Sequence, residues 1–270
     1  MRAIFIAPTK LKKFYLLLFI ILLSECAGKK EEAIMKKKLA PGYLAPGFLV
    51  LGVIAQSVYR WLYTLVEDPV SGLLPGFTAA ECMLWALVAL AAVGAFLFTR
   101  KTSLAPAGPL AGVGGNVLFA LGAATLLLEP VQGPAGLVVA YRGFCLLAVV
   151  SLLAMAFLRG TGRKVPFLLE LGPCLMCIML MLECYQLWSE VPQLTNYVLG
   201  LGAVLCLALE GYFRLARAAG LPEKSWYHAI GLLGIFFCAA AVAQGDFTWF
   251  FTAAAVWLAG TYAGLRPGEN

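Results

Sequence analysis

One histidine, His228, is all that this chain of 270 residues contains. That scarcity argues against His-rich metal sites and leaves a single candidate for imidazole acid–base chemistry. Charge is scarce too: Asp, Glu, Lys and Arg make up 13% of the residues, against about a quarter in ordinary soluble chains. No P-loop, glycine-rich nucleotide fingerprint or HExxH is present, so no cofactor is expected and the first reading is not an enzyme. No basic patch alternates with aromatics, which argues against a nucleic-acid partner despite a formal charge of +6.

What is present is apolar. Hydrophobic residues make up 62% of the chain, and the mean hydropathy is +0.88. Several runs approach or exceed the ~20 residues that cross ~30 Å of hydrocarbon. The fold class that follows is all-α: a polytopic integral membrane helix bundle with the lipid bilayer as its surroundings. Eight spans are expected, at approximately 44–66, 78–98, 109–128, 134–158, 166–188, 194–215, 226–243 and 247–265. Short connections such as "EPVQGP", "RGTGRKVP" and "QGD" separate them. In "TAAE", Thr78 and Glu81 form an expected capping box that opens the second span.

The basic residues order these spans. Even-numbered ends carry Lys36–Lys38, Arg100, Lys101, Arg159, Arg163, Lys164, Arg214, Arg217, Lys224 and Arg266. Odd-numbered ends carry Glu67, Asp68, Glu129, Glu190 and Asp246, with no lysine or arginine. Cytoplasmic loops retain cations, so the pattern predicts an N-in/C-in protein of the bacterial cytoplasmic (inner) membrane. Residues 1–34 read as a leader or signal-like segment, with lysines at 10, 12 and 13 before a short apolar run. The codons of "EEAI" can hold a ribosome-binding sequence ahead of Met35. The expected start is therefore Met35, with 35–270 a single transmembrane bundle.

The third span, "PAGPLAGVGGNVLFALGAA", is rich in glycine. Small residues let helices approach closely in lipid, and a hinge is the sharper alternative. "TAAECMLW" and "LMLECYQLW" share Glu-Cys and a later Trp on helices of opposite direction, a faint sign of an inverted repeat.

Ionisable residues inside a membrane are functional candidates. At about 1.5 Å per residue, Arg60 lies ~9 Å, Arg142 ~12 Å, Glu81 ~5 Å and Glu183 ~9 Å from the outer ends of four different helices. The four are expected to meet, either as a packing clamp or as an outward-opening cleft. Such a cleft would receive a small anionic or zwitterionic solute and be lined by Gln56, Tyr59 and Tyr141. Glu170 and Glu210 are expected to pair with cations at the inner surface, and His228 to anchor at the inner interface.

The eight cysteines include a cluster in "LGPCLMCIMLMLEC". At about 100° per residue, Cys174, Cys177, Met181 and Cys184 share one helix face, with Glu183 opposite. Pro173 is expected to loosen or kink the helix there. The cluster reads as a packing stripe, as a soft-metal path suited to Cu(I), or as a redox pair. "PCLMCI" resembles the "PCxxCI" stretch of the membrane enzymes that pass electrons from thiols to quinone. The resemblance covers six residues and would imply an oxidoreductase using Cys174 and Cys177. Beyond it, "MLMLE" stands where that family carries an arginine, and no outer loop contains cysteine.

Three function classes follow. One is a transporter or permease-like protein with a charged outer-leaflet site. The second is a non-enzymatic integral subunit or scaffold, packed with a membrane protein partner or as a homo-oligomer. The third is the thiol–quinone oxidoreductase.

Overall fold

Lipid offers no partner for backbone N–H and C=O groups, so apolar runs of this length pair them internally as helices. The computed structural model describes residues 43–65, 78–100, 102–104, 109–131, 134–188, 197–222 and 224–267. These residues form eight α-helices: α1 (Leu44–Tyr63), α2 (Ala79–Thr99), α3 (Pro109–Thr125), α4 (Ala135–Gly160), α5 (Leu168–Trp188), α6 (Val198–Ala218), α7 (Ser225–Ala241) and α8 (Thr248–Tyr262). Each expected span is met by one helix. Five of them, α2, α4, α5, α6 and α7, are long and apolar enough to cross a membrane. The chain is an all-α, multi-pass membrane bundle. The leader, Met35, Lys36–Lys38, Glu67, Asp68 and Glu190 lie outside the described residues.

Helix ends follow local chemistry. Thr78 caps α2, its Oγ1 accepting from the Glu81 N–H at 3.1 Å, which is the forward half of the expected capping box. α5 runs through Pro173 without interruption. The last helix is shorter than expected: it ends at Tyr262 rather than 265. Pro267 disfavours helical backbone at the residue before it, and Leu265–Pro267 instead forms a strand, β2. It pairs antiparallel with β1 (Thr102–Leu104), Ser103 opposite Arg266. A 3-10 turn (Val242–Gln244) and Gly245, at φ 87°, close α7. Gly245 adopts that left-handed conformation without a Cβ penalty.

Packing is organised around α7. Consecutive helices from α3 to α8 pack on one another, and α8 returns to α3, so six helices close a ring. α1 and α2 lie against α7. The span of α7 is 72% buried, that of α2 only 22%. α7 tolerates this crowding because its contact positions are small. A Cβ on Gly231 would overlap the Tyr262 ring, and one on Gly234 would stand 2.9 Å from Leu258 Cδ1. α2 instead exposes Leu90, Val93 and Leu97, a surface suited to acyl chains.

The alternation of helix direction sorts the ends. The C-termini of α2, α4, α6 and α8 and the N-termini of α5 and α7 share one end, joined there by the strand pair and by ion pairs. This basic end carries Arg159, Arg163, Lys164, Arg214, Arg217 and Lys224. The opposite, acidic end holds Glu183 and Asp246.

Candidate functional site

The residues expected to form the outer site are dispersed by burial. Arg60, in the last turn of α1, and Arg142, on α4, are exposed. Glu81 is half-buried in the first turn of α2, and Gln56 is half-buried on α1. Glu183 is buried on α5, while Tyr59 and Tyr141 are almost fully enclosed. Among the described residues no ion pair joins any two of Arg60, Glu81, Arg142 and Glu183. Tyr141 does lie within electrostatic reach of Glu183 and Cys184, and the Tyr59 hydroxyl pairs with the Gln244 side chain.

The polar chemistry that the fold assembles most fully is at the basic end, inside the ring. It starts from sequence spacing. Glu210, Arg214 and Arg217 lie four and three residues apart, so they project from one side of α6. Glu170 opens α5 and Arg159 closes α4. Each sign suits its helix terminus, where the partial charge is positive at the start and negative at the end. Antiparallel neighbours then bring these termini together.

The resulting geometry is specific. Arg214 grips Glu170 with two parallel bonds, Nε to Oε2 at 3.1 Å and Nη2 to Oε1 at 3.2 Å. Arg159 Nη2 donates to the same Oε1 at 3.5 Å. Arg217 Nη2 donates to Glu210 Oε1 at 2.9 Å, and the Tyr262 hydroxyl donates to Oε2 at 2.6 Å. Glu170, Glu210 and Arg214 are all buried. Burying three charges in lipid is tolerable only because each is matched in sign and hydrogen-bonded. These glutamates therefore do not pair at the surface, as the sequence suggested, but inside the bundle. His228, expected at the interface, is buried as well, 6.4 Å from the Tyr262 ring between centroids.

An aromatic wall supports the network. The Arg214 guanidinium lies over the Trp257 ring, 4.6 Å from its centroid. Trp257 stacks on Phe119 at 4.2 Å and donates its indole N–H to Asn116 Oδ1 at 3.3 Å. The glycines of α3 explain its close approach. A Cβ on Gly115 would meet Trp257 Cδ1 at 3.2 Å, and one on Gly112 would lie 3.6 Å from Arg159 Cδ and Nη1. All six ring helices thus contribute: Asn116 from α3, Arg159 from α4, Glu170 from α5, Glu210 and Arg214 from α6, Tyr227 from α7, and Trp257 and Tyr262 from α8. The Tyr227 carbonyl stands 3.5 Å from the Tyr262 hydroxyl.

Six of the described cysteines lie on ring helices, and Cys82 is exposed on α2. Cys174, Cys177 and Cys184 are buried free thiols, and Met181 is half-buried. Cys177 is within electrostatic reach of Cys145, and Cys238 of Cys177 and Cys206. Among the described residues no group of three or more His, Cys, Asp or Glu could hold a metal ion. Outside the ring an apolar groove of about 280 Å³ runs between α5 and α6, lined by residues such as Phe167, Leu171, Tyr212 and Leu215.

Comparison with protein-family models, curated proteins and solved structures finds no match to any of them.

Proposed function

We propose that the chain is a permease-like protein of the bacterial cytoplasmic membrane, carrying a small anionic or zwitterionic solute through the six-helix ring. The observation that carries this reading is the buried network of Glu170, Arg214, Arg159, Glu210, Arg217 and Tyr262. Apolar side chains of similar volume hold helices together at least as well as buried ion pairs. An ionic network inside a membrane is therefore a functional feature by default. The cationic helix ends support a cytoplasmic side for this network, with N-in and C-in ends. It acts as the closed inner half of the path. The outer mouth is formed at the acidic end by Glu183 and Tyr141 of the ring with Arg142 beside them, and Tyr59, Arg60, Gln56 and Glu81 of α1 and α2 flank it from outside the ring.

The test is flux. Purified protein is reconstituted in liposomes and exposed to concentration jumps of chloride, acetate or glycine on a solid-supported membrane. Protein-dependent currents or isotope uptake are expected for at least one. Folded protein that moves none of the three above the protein-free background would overturn the reading.

A second reading has its own observation. Arg142 is exposed on α4 between Val139 and Leu146, both also exposed. A cation on a lipid-facing surface is relieved by an acidic partner helix, as a subunit, scaffold or homo-oligomer would provide. Copurification of a stoichiometric partner, lost in Arg142→Leu, would support this alternative.

A further inference from the structure

The network leaves donors unused at one corner. The Trp257 indole N–H can only donate, so it fixes the orientation of the Asn116 amide: Oδ1 must face Trp257, and Nδ2 turns elsewhere. Asn116 is completely buried, and its Nδ2 has no hydrogen-bond partner among the described residues. A buried donor left unmade costs about 1–3 kcal/mol, so such a group calls for an occupant.

Arg214 has one edge that makes no hydrogen bond to a described residue. Its fork uses Nε and Nη2, and the planar guanidinium aims Nη1 away from Glu170. Arg214 and Asn116 contact the same indole, one on its face and one at its nitrogen. Gly112 stands one helical turn before Asn116 and beside Arg159, so this face of α3 also fronts that second guanidinium. Two arginines thus surround the Glu170 carboxylate, and the indole that Arg214 covers carries at its nitrogen an amide whose Nδ2 has no partner among the described residues.

We propose that this corner is a binding site for a small monoanion, a halide or short carboxylate, held by Asn116 Nδ2 and the free edge of Arg214, with Arg159 supplying the balancing charge. Donors without acceptors, beside an excess of positive charge, select an anion over a cation or an apolar group. That this anion is also the carried solute rests on the permease reading; the binding site itself does not.

The experiment separates the two. Thermal unfolding of detergent-purified protein is followed in titrations with sodium chloride and sodium acetate, against sodium gluconate at equal ionic strength. Wild type is expected to show a saturable rise in midpoint with chloride or acetate and none with gluconate. Asn116→Leu removes the donor without touching an ion pair, and should weaken the response at least about tenfold, the equivalent of one hydrogen bond to a charged group. Asn116→Asp supplies a tethered carboxylate in place of the anion. It should fold, and its midpoint should ignore both salts. A wild-type midpoint with no saturable response means that Nδ2 is met by water, and overturns the site. Equal responses in all three proteins overturn it as well. Salt-dependent stabilisation lost in Asn116→Leu, with no flux in liposomes, keeps the site and removes only the transport reading. Flux with an unaltered salt response in both variants removes the site and keeps transport.

Discussion

Arg142 of α4 and Arg214 of α6 are both arginines within apolar helices, yet the fold treats them in opposite ways. Arg142 is exposed, with no ion pair among the described residues. Arg214 is buried, gripped by Glu170 and laid over Trp257. The difference does not come from depth along the helix. It comes from which helices face each other. Both helices lie in the closed ring with a neighbour on either side, but the span of α6 is 56% buried and that of α4 only 28%. Arg214 is admitted to the interior where a neighbouring helix opens with Glu170, and Arg142 meets no such carboxylate among the described residues.

The comparison breaks most severely at Glu170. Glu170→Ala leaves Arg214 buried without its carboxylate and should cost about 3–5 kcal/mol, read as loss of folded protein or as a large drop in an unfolding midpoint. The double change Glu170→Met with Arg214→Met should recover most of that stability, because the two charges leave together. Arg159, about a third exposed, can then reach water or headgroups. A double variant no more stable than Glu170→Ala would mean that the network specifies the ring rather than merely filling it.

Tyrosines sharpen the contrast at a smaller scale. Tyr262 donates to a buried carboxylate, and Tyr59 pairs with a neutral amide; both rings are almost wholly enclosed. Removing a hydroxyl bonded to a charge costs about 1.5–3 kcal/mol, and one bonded to a neutral group about 1 kcal/mol. Tyr262→Phe should therefore destabilise more than Tyr59→Phe in the same unfolding assay. Equal losses would place the two ends on the same footing.

The sequence carried the helices better than the site, for a physical reason. Span positions follow from runs of apolar residues, a local property, and every expected span is matched by a helix to within a few residues among those described. The end of α8 departed because one proline, Pro267, acts beyond the apolar run. The site depends instead on which faces meet. Glu170 and Glu210 were visible as carboxylates near basic helix ends, but nothing local told surface pairing from burial. The available signal was on α6. Glu210 and Arg214 continue the row of Ala203 and Leu207 at steps of four and three residues, and both of those are buried. A charge pair in register with a buried apolar row is itself a buried pair. Asn116 and Trp257 could not be found this way, since their partnership joins residues 141 positions apart.

A cap provides a further check on the less buried side. Thr78→Ala removes the side-chain acceptor of the Glu81 N–H on exposed α2, and should cost about 1 kcal/mol. That loss should be independent of Glu170→Ala, because distant sites without shared partners add.

The smallest expected effect is at Arg142, and it is the most discriminating for the acidic end. If Arg142 faces lipid with its guanidinium drawn toward the headgroups, Arg142→Leu should alter stability by less than about 1 kcal/mol or raise it, since leucine inserts more readily at this depth. Stability unchanged with flux reduced would make Arg142 part of a solute mouth. Stability unchanged with a copurifying partner lost would make it a docking charge. A loss above about 2 kcal/mol would instead mean that Arg142 is clamped as Arg214 is. The contrast between the two arginines would then reflect the partner each one finds, not whether it finds one.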